Sequence, residues 1–511
     1  MKLSKKILLL IIFFILIYFI GGLIFHISYK ISPPQSGLNK QIVRQTTKIA
    51  TKLSEYKIDR LYFFNDSFLF KNKATFILDF SRNDLIYNDS IIGLIKGGEV
   101  KILEDRFKKW RNFQIIYKNK IIKAKYKFHG SSVTPYLLGY QSYTIKSKSA
   151  INGSKHFKLL TGNEFNYLNI FNNILGNKND LIVEDFGSVV IVNQGGALKD
   201  FLKYSVFNEK YITKTYSLKE PLIIRRNTFN KGGGLRQWHS SKLDDLYYNI
   251  DKSNIDRSDL DLWAKFTQSP SELNYNSSYM GKFIALIQFY GNPHQITGNN
   301  DKWILSDSMF YPVYRNESGP WQVLTVDDLE NNLFFDLYYY SASLDIYKKI
   351  LTDENVLYER NKALKRIIDS QDEIISDLDS VYLSNVDKHR RFNEDYLKLS
   401  LSHIKSKKIF KQNSNTIGSY LNQGYTMISY DGDNLKLKSS KVNQIQIEVS
   451  DSIYIFNPTI HKFNNEFKKL TNTINEFSLH GVSNIDSLKI KDLVLNKYLL
   501  NEKDYHIITI N

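Results

Sequence analysis

Two lysines that follow a Gly-Ser turn are candidate functional residues. Lys146 ends a predicted strand that comes after Gly130-Ser131-Ser132, and Lys148 lies two residues further on. Side chains two residues apart on a strand share a face, so both ammonium groups could reach one phosphate-bearing ligand. The alternative is that both are solvent-facing lysines of an ordinary strand. Phosphoryl transfer would further require oxygen ligands for a divalent metal and a group that orients the acceptor hydroxyl.

Segments in a fixed order resemble the CotH kinase family. Lys125 to Lys146 reads KYKFHGSSVTPYLLGYQSYTIK and is similar to that family's strand, Gly-x-Ser turn and Lys-Ser-Tyr-x-Ile-Lys-like strand. Ser188 to Gly195, SVVIVNQG, is similar to its Val-x-Val-x-Val-Asn-Gly element. Gly298 to Trp303, GNNDKW, and Leu324 to Leu329, LTVDDL, resemble its Asn-bearing loop and Pro-Trp-Asp-Leu-Asp segment. The resemblance covers residues 70 to 340 and implies an atypical protein kinase that uses ATP, a divalent metal and a Ser or Thr acceptor.

The resemblance implies a role for each candidate residue. Lys146, with Lys148 on the same face, would contact the phosphates of ATP. Asp327 would be the metal-binding carboxylate, and Asn300 would supply an amide oxygen from its loop. Hard oxygen ligands of this kind fit Mg²⁺ or Mn²⁺. The alternative is that Asp327 and Asp328 simply end a strand in a polar turn.

The sequence also departs from the family pattern. Val326 stands where the family has tryptophan, and Asp328 follows the first aspartate directly instead of leaving one residue between them. The loop that carries an acid in the family has none here, so His294, whose type titrates near neutral pH, is the candidate general base, with Asp301 as the alternative. The family's glutamate after Gly-x-Tyr has no clear counterpart at Leu202 to Ser205. Because these family residues are missing, a catalytically inactive relative of the family is an alternative.

The helices and strands around these candidate residues are predicted from the spacing of apolar residues. Short runs rich in β-branched and aromatic residues predict an antiparallel sheet, and later runs predict further strands and two helices. The predicted strands are Ala74 to Phe80, Phe113 to Tyr117, Ile121 to Phe128, Gly187 to Val192, Leu222 to Arg225, Trp303 to Leu305 and Trp321 to Val326. The last two flank a predicted turn at Asn316 to Gly319, and the two helices are Glu164 to Ile174 and Tyr275 to Tyr290.

The final third of the chain changes character. Val356 to Leu378 and Asn393 to Lys407 predict amphipathic helices, and the alternation after Ser414 predicts a small β sandwich. The predicted fold class is α+β: an atypical protein-kinase-like, CotH-like domain after one N-terminal transmembrane helix, with a small C-terminal all-β domain. The predicted divisions are an anchor at 1–30, a linker and helix at 31–57, the CotH-like domain at 58–345, a helical segment at 346–411 and the β domain at 412–511.

An apolar run near the N-terminus predicts a membrane anchor. Residues 7–25 read ILLLIIFFILIYFIGGLIF without a charge, which is long enough for a helix to cross a bilayer. No small-residue cleavage site follows, so an uncleaved anchor is favoured over a signal peptide. Lys2, Lys5 and Lys6 precede the run, and the positive-inside rule then places the N-terminus in the cytoplasm and the main domain outside.

Composition narrows the function classes. The chain has 511 residues, no cysteine and a formal charge of +17. The lack of cysteine excludes disulfide scaffolds, thiolate metal sites and cysteine nucleophiles. Lysine is scattered, so the charge could reflect biased composition, and no segment resembles a nucleic-acid-binding module; nucleic acid is not an expected partner.

Three function classes stay open on the sequence alone. The first is ATP- and Mg-dependent phosphoryl transfer to a protein hydroxyl, although an extracytoplasmic domain would meet little ATP. The second is a catalytically inactive envelope or surface protein that binds a protein or polysaccharide. The third is a glycan- or polymer-modifying transferase, which would need a converging carboxylate pair. The basic, glycine-rich run from Arg225 to Arg236 could bind an anionic substrate, or it could be an ordinary solvated loop.

Overall fold

The computed structural model describes most of the chain between residues 76 and 509. The described residues are 12–17, 20–21, 49, 76–100, 103–118, 120–129, 142–151, 154–161, 166–184, 186–192, 198–205, 207, 209–225, 248–249, 257–270, 272–291, 302–315, 320, 323–326, 329, 346–347, 349–386, 394–439, 441–449, 452–456, 475–480, 482, 488–499 and 505–509. They belong to two compact units. The first unit takes residues 1–171, 185–206 and 378–406, and the second takes residues 172–184, 207–377 and 407–511.

The described helices and strands are interspersed up to the helix that ends at Asn422, and the described elements after it are strands. In chain order the elements are β1 (Phe76–Asp79), α1 (Arg82–Lys96), β2 (Arg111–Tyr117), β3 (Lys120–Phe128), β4 (Tyr143–Ile151), β5 (Ser154–Thr161), α2 (Asn166–Lys178), β6 (Phe186–Val192), β7 (Leu198–Ser205), α3 (Glu209–Tyr216), β8 (Leu222–Arg225), β9 (Tyr248–Asn249), α4 (Arg257–Gln268), α5 (Ser277–Tyr290), β10 (Lys302–Ser306), β11 (Met309–Pro312), α6 (Glu354–Asp369), α7 (Gln371–Val386) and α8 (Glu394–Asn422). The C-terminal strands are β12 (Thr426–Tyr430), β13 (Asn434–Ser439), β14 (Ile445–Val449), β15 (Ser452–Phe456), β16 (Asn475–His480), β17 (Lys489–Asp492), β18 (Lys497–Tyr498) and β19 (Tyr505–Thr509).

The first unit contains a closed sheet of strand order β1-β2-β3-β4-β5-β7-β6. Its neighbours are antiparallel except at the closing pair, where β1 and β6 run parallel with Phe76 opposite Ile191. The predicted antiparallel sheet, formed by the strands now seen as β1, β2 and β3, is confirmed. The parallel closing pair with β6 was not predicted, because the pairing of two distant strands leaves no local pattern in the sequence.

Alternating side chains explain how this sheet folds. Along β3 every second residue from Ile122 to Phe128 is buried, and the residues between them face outward. Helix α1 begins at the N-cap Ser81, whose hydroxyl accepts from the Asp84 amide at 3.2 Å. Ile91 of α1 joins the apolar core of the strands. Along β3 the core therefore lies on one face of the strand, and the other face is left for polar side chains.

The second unit is organised around α5. Its residues are buried from Phe283 to Tyr290, and the helix ends at Gly291, whose φ of 69° is left-handed and favours glycine. A Cβ atom added at Gly281 would lie 2.6 Å from the Arg360 amide nitrogen, so α5 and α6 pack backbone against backbone at this point. A four-stranded sheet of order β11-β10-β8-β9 belongs to the same unit.

The C-terminal strands form two four-stranded sheets, β16-β13-β12-β19 and β15-β14-β17-β18. Ile428 and Leu437 from the first sheet and Ile447 and Ile490 from the second share one apolar core. Two sheets packed on a common core form a sandwich, as the alternation after Ser414 predicts.

The structure corrects a predicted strand and a predicted hairpin. Described residues 323–325 of the predicted strand Trp321 to Val326 are not in a strand. Instead the Asn413 side chain accepts from the Leu324 amide at 2.7 Å, and the Thr416 hydroxyl donates to the Leu324 carbonyl at 3.1 Å, so side chains replace the sheet ladder. Strand β10 pairs with β11 through a turn at Asp307 and Ser308 rather than through the predicted turn at 316–319.

Helix lengths also differ from the predictions. The helix predicted at Val356 to Leu378 is two helices, because α6 ends at Asp369 with Ser370 as its C-cap, and α7 begins at Gln371. Helix α8 continues past the predicted end at Lys407 to Asn422, with Phe410, Ile417 and Tyr420 buried at helical spacing. Position 412, the predicted start of the β domain, therefore lies inside a helix.

The predicted membrane anchor falls largely outside the described residues. Positions 12–17 and 20–21 are helical, and the apolar side chains of 12–17 are exposed. Among the residues that the structure describes, no helix is both long and apolar enough to cross a bilayer. The anchor at 1–30 stays a prediction.

Candidate functional site

A buried carboxylate between two cations is the most distinctive charged group in the second unit. Glu184 is fully buried, and its Oε1 accepts a hydrogen bond from the Lys302 ammonium. Its Oε2 lies 3.1 Å from Nε of Arg315. The side chains of Lys302 and Arg315 are 6% and 9% exposed, so all three charges stand outside bulk water. We refer to Glu184, Lys302 and Arg315 as the ion cluster.

Backbone pairing brings the three residues together. Val183 and Tyr314 form a parallel bridge, which sets the next residues of both segments, Glu184 and Arg315, side by side. The Val313 amide donates to the Lys302 carbonyl at 2.9 Å, which fixes the start of β10 against the same segment. The Asn173 side chain donates to the Glu184 carbonyl at 2.6 Å. Each charged side chain is therefore held by an ordered backbone.

Helix α2 packs directly against this arrangement. A Cβ atom at Gly176 would lie 2.5 Å from Cγ1 of Val183 and 2.6 Å from Cδ1 of Tyr314, so only glycine fits beside the bridge. The Tyr314 hydroxyl donates to Oδ1 of Asn172 at 2.5 Å. Burial raises the pKa of the Tyr314 hydroxyl well above its usual range, because the phenolate would lose its hydration, and the group stays a donor at neutral pH.

This arrangement has two chemical interpretations. Desolvating three charges is costly, and breaking such a cluster by removing one partner is more costly still, so the cluster can act purely as a structural ion network. A carboxylate that holds a lysine in place is also the device that protein kinases use to aim a lysine at phosphates. Lys302 is the first residue of β10 and directly follows the predicted site residues Asn300 and Asp301 in the sequence, as the second interpretation would require.

The two lysines predicted to contact phosphate lie on the outer face of the closed sheet. Lys146 and Lys148 are both exposed on β4, as the prediction that they share a face requires. The Lys146 ammonium lies 4.8 Å from the ring centroid of Trp110. The alternative interpretation, that both are solvent-facing strand lysines, predicts the same exposure.

The other predicted site residues, His294, Asn300, Asp301 and Asp327, lie outside the described residues, and their roles stay predictions. Among the residues that are described, no group of three or more His, Asp or Glu side chains could hold a metal ion. The metal ligands implied by the CotH resemblance therefore remain Asn300 and Asp327 on the sequence alone.

Sequence reasoning missed the ion cluster. The local signal for it is weak: Glu184 ends the apolar run Leu181 to Val183, and Lys302 precedes the apolar strand residues Trp303 to Leu305. A charged residue at the end of a buried run is common in proteins, because strands often end at the surface. Only the pairing of the two runs with the segment before Arg315 makes the charges meet.

Comparisons with known proteins do not assign the chain to a family. No family model matches the chain, so the CotH resemblance rests on the quoted residues. No curated protein matches it either. One solved structure, the Shewanella oneidensis MR-1 toxin–antitoxin system HipA, HipB and its operator DNA complex, aligns at 14% identity and a TM-score of 0.27, covering 61% of this chain and 65% of that chain. The match thus spans less than two thirds of that chain, and its TM-score is too low to assign a fold or an activity.

Proposed function

We propose that the chain is a membrane-anchored, CotH-like phosphotransferase that binds ATP with Mg²⁺ or Mn²⁺ and transfers a phosphoryl group to a Ser or Thr hydroxyl of a protein. The N-terminal run at 7–25 would hold the domain at the bilayer, with the N-terminus in the cytoplasm. The acceptor would be a protein on the same side of the membrane as the domain.

The ion cluster is the observation that carries this proposal. Glu184 accepts a hydrogen bond from the largely buried Lys302 ammonium, and the two residues before Lys302 are the predicted loop residues Asn300 and Asp301. Ionisable groups that are desolvated and paired with a specific charge partner are candidates for a functional site. A lysine fixed in this way can present its charge to phosphates without losing side-chain freedom at the moment of binding.

Each remaining role is assigned by residue type. Asn300 and Asp327 would provide hard oxygen ligands for the metal. His294 or Asp301 would orient the acceptor hydroxyl. ATP with its metal would supply the transferred phosphoryl group. The phosphates would be held by Lys146, as the resemblance implies, or by Lys302, which the structure adds.

Nucleotide binding by the full chain tests the proposal. A ligand specific to the folded state raises its unfolding temperature, by roughly 2 to 5 °C at a hundredfold excess over Kd. We expect such a rise with ATP and Mg²⁺ and its loss in Asp327→Ala. Lys146→Met and Lys302→Met identify the phosphate lysine, and Lys405→Met, an exposed lysine of α8, is the matched control. Label from γ-phosphate-labelled ATP should then appear on Ser or Thr of an acceptor protein.

The near-complete burial of the ion cluster favours a second candidate, a catalytically inactive surface or envelope protein that binds a protein or polysaccharide. A structural ion network needs no access for a ligand, and exposures of 1%, 6% and 9% for the three side chains fit that role. Absence of any ATP-dependent rise in unfolding temperature at millimolar nucleotide, with the chain shown to be folded by a cooperative thermal transition, would select this candidate.

A further inference from the structure

Three consecutive strands of the closed sheet carry lysine and no acidic residue. Strand β3 reads KIIKAKYKF, β4 reads YTIKSKSAI and β5 reads SKHFKLLT, without a single Asp, Glu or Arg. Because alternate residues are buried, the cationic side chains collect on the outer face. We call this surface the basic face and define it by Lys123, Lys125, Lys127, Lys146, Lys148, His156 and Lys158.

The strand register places two lysines directly opposite one another. Lys125 on β3 pairs with Lys146 on β4, and Lys146 in turn lies opposite His156 on β5. Like charges in such cross-strand positions are destabilising. Within the described part of the chain, no carboxylate forms a salt bridge with Lys123, Lys125, Lys127, Lys146 or Lys148. The face therefore carries a repulsion that an external anion would relieve.

A partly exposed tryptophan borders the same face. Trp110 is 37% exposed, and the ammonium groups of Lys146 and Lys127 lie 4.8 and 5.1 Å from its ring centroid. The His156 ring centroid is 6.4 Å from that of Trp110. Trp110 therefore exposes part of its indole ring to water beside long lysine side chains. This combination is typical of the boundary between water and lipid.

We propose that the basic face docks on the surface of an anionic lipid bilayer, with its lysines against headgroup phosphates and Trp110 at the interface. The face includes Lys146 and Lys148, which the CotH resemblance assigns to the phosphates of ATP, so the docking proposal is tested at Lys123 and Lys125, which have no proposed role in nucleotide binding. It does rest on the proposed anchor in one respect, since residues 7–25 would keep the domain within reach of the bilayer through the 50 residues between that run and β1.

The identity of the cations favours lipid over nucleic acid. Arginine provides the planar, bidentate contacts that recognise phosphodiesters and bases, and β3, β4 and β5 contain none. Stacking on single strands uses several aromatic side chains. Among the described residues, Trp110 is the aromatic side chain whose ring lies beside ammonium groups of the basic face. Lysine acts as a compact charge on a long stem, which suits attraction to a layer of many headgroups.

Tryptophan quenching on lipid vesicles tests the proposal with the full chain. The chain is mixed with vesicles of neutral phosphatidylcholine, or of phosphatidylcholine with 30 mol% phosphatidylglycerol (a composition of roughly physiological charge density), each carrying a quencher near the headgroups. We expect quenching that appears only on anionic vesicles, that is absent in Trp110→Phe, and that is reversed by high salt because exposed charges are screened.

A pair of variants isolates the lysines. Lys123→Gln combined with Lys125→Gln should weaken the quenching interaction about tenfold or more, since each lysine near an anionic surface contributes to its attraction. Lys405→Gln combined with Lys408→Gln removes the same charge from exposed positions of α8 and should leave it unchanged. Lys146 and Lys148 are retained in both variants, so the ATP-dependent rise in unfolding temperature should survive in each.

Three outcomes would overturn the proposal. Equal quenching on neutral and anionic vesicles would show that the lysines do not contribute to binding of the bilayer. Equal loss in the two double variants would reduce the effect to net charge. Salt-sensitive binding of a labelled oligonucleotide that is stronger than binding to anionic vesicles, and that is lost in Lys123→Gln/Lys125→Gln alone, would assign the face to nucleic acid. Failure of the anchor is a different result, seen as no sedimentation of the chain with neutral vesicles.

Discussion

The ion cluster and the basic face use the same residue type in opposite ways. Lys302 is buried and forms a salt bridge with Glu184, whereas Lys123 and Lys125 are exposed to solvent on β3. A buried charge is stable only with its partner, so the cluster ties its residues to one geometry. An exposed lysine keeps its hydration and its freedom, so the basic face stays available to an outside anion. The environment of a lysine, rather than its identity, decides which of these roles it can serve.

Removing the carboxylate of the ion cluster is the largest expected perturbation of this comparison. In Glu184→Gln the two cations Lys302 and Arg315 lose the shared carboxylate while they stay buried, and we expect a loss of about 3 to 5 kcal/mol in the free energy of unfolding, measured by urea. The control is Asp105→Asn, because Asp105 pairs with Lys108 at 3.5 Å but is almost fully exposed, and should not change stability measurably. Equal midpoints for both variants would refute the contrast between buried and exposed charge.

Removing one cation instead of the carboxylate should cost less. In Lys302→Met, Arg315 still faces Glu184 and the thioether fills part of the space left by the lysine stem. We expect a loss of about 1 to 3 kcal/mol, smaller than that of Glu184→Gln. Urea unfolding of the two single variants and of the double variant gives their coupling energy. A cost for Lys302→Met as large as that for Glu184→Gln would mean that Arg315 does not compensate the carboxylate.

A substitution at Gly176 tests the packing around the ion cluster without changing a charge. Gly176→Ala places a methyl group against Val183 and Tyr314, and we expect a loss of about 1 to 3 kcal/mol because the bridge that aligns Glu184 and Arg315 must shift. The matched control is Gly93→Ala in α1, where nothing lies within 4 Å of the added atom and the helix should gain about 0.5 to 1 kcal/mol. Opposite signs in thermal unfolding support the close packing, and two stabilised variants would contradict it.

The smallest effect is expected on the basic face. Lys125→Glu turns a like-charge pair with Lys146 into an opposite-charge pair, which should stabilise the closed sheet by about 0.2 to 1 kcal/mol at low salt. The gain should fade as salt rises, because both side chains are exposed. Unfolding at low and high ionic strength measures it, with Lys405→Glu on α8 as the comparison. A destabilised Lys125→Glu would show that the repulsion inferred from the register is absent.

Local pattern predicts much of the fold and little of the candidate site. Alternation along β3 and the apolar continuity of α5 can be seen within single segments, and both elements are confirmed. The predicted strand at Trp321 to Val326 is wrong because Asn413, far away in the sequence, satisfies the Leu324 backbone in place of a neighbouring strand. The shared exposure of Lys146 and Lys148 was predictable because it depends only on the two-residue period of a strand.

Residues close together in the chain are enough to predict the periodic elements, the acid-free lysine strands, the apolar N-terminal run and the motifs that resemble CotH. The closure of β1 on β6, the position of Lys125 opposite Lys146 and the shared buried site of Glu184, Lys302 and Arg315 depend on the folded chain. They cannot be predicted locally, because burial and charge pairing are properties of neighbours in space. Residues separated by more than a hundred positions, as Glu184 and Lys302 are, become neighbours only when the chain folds.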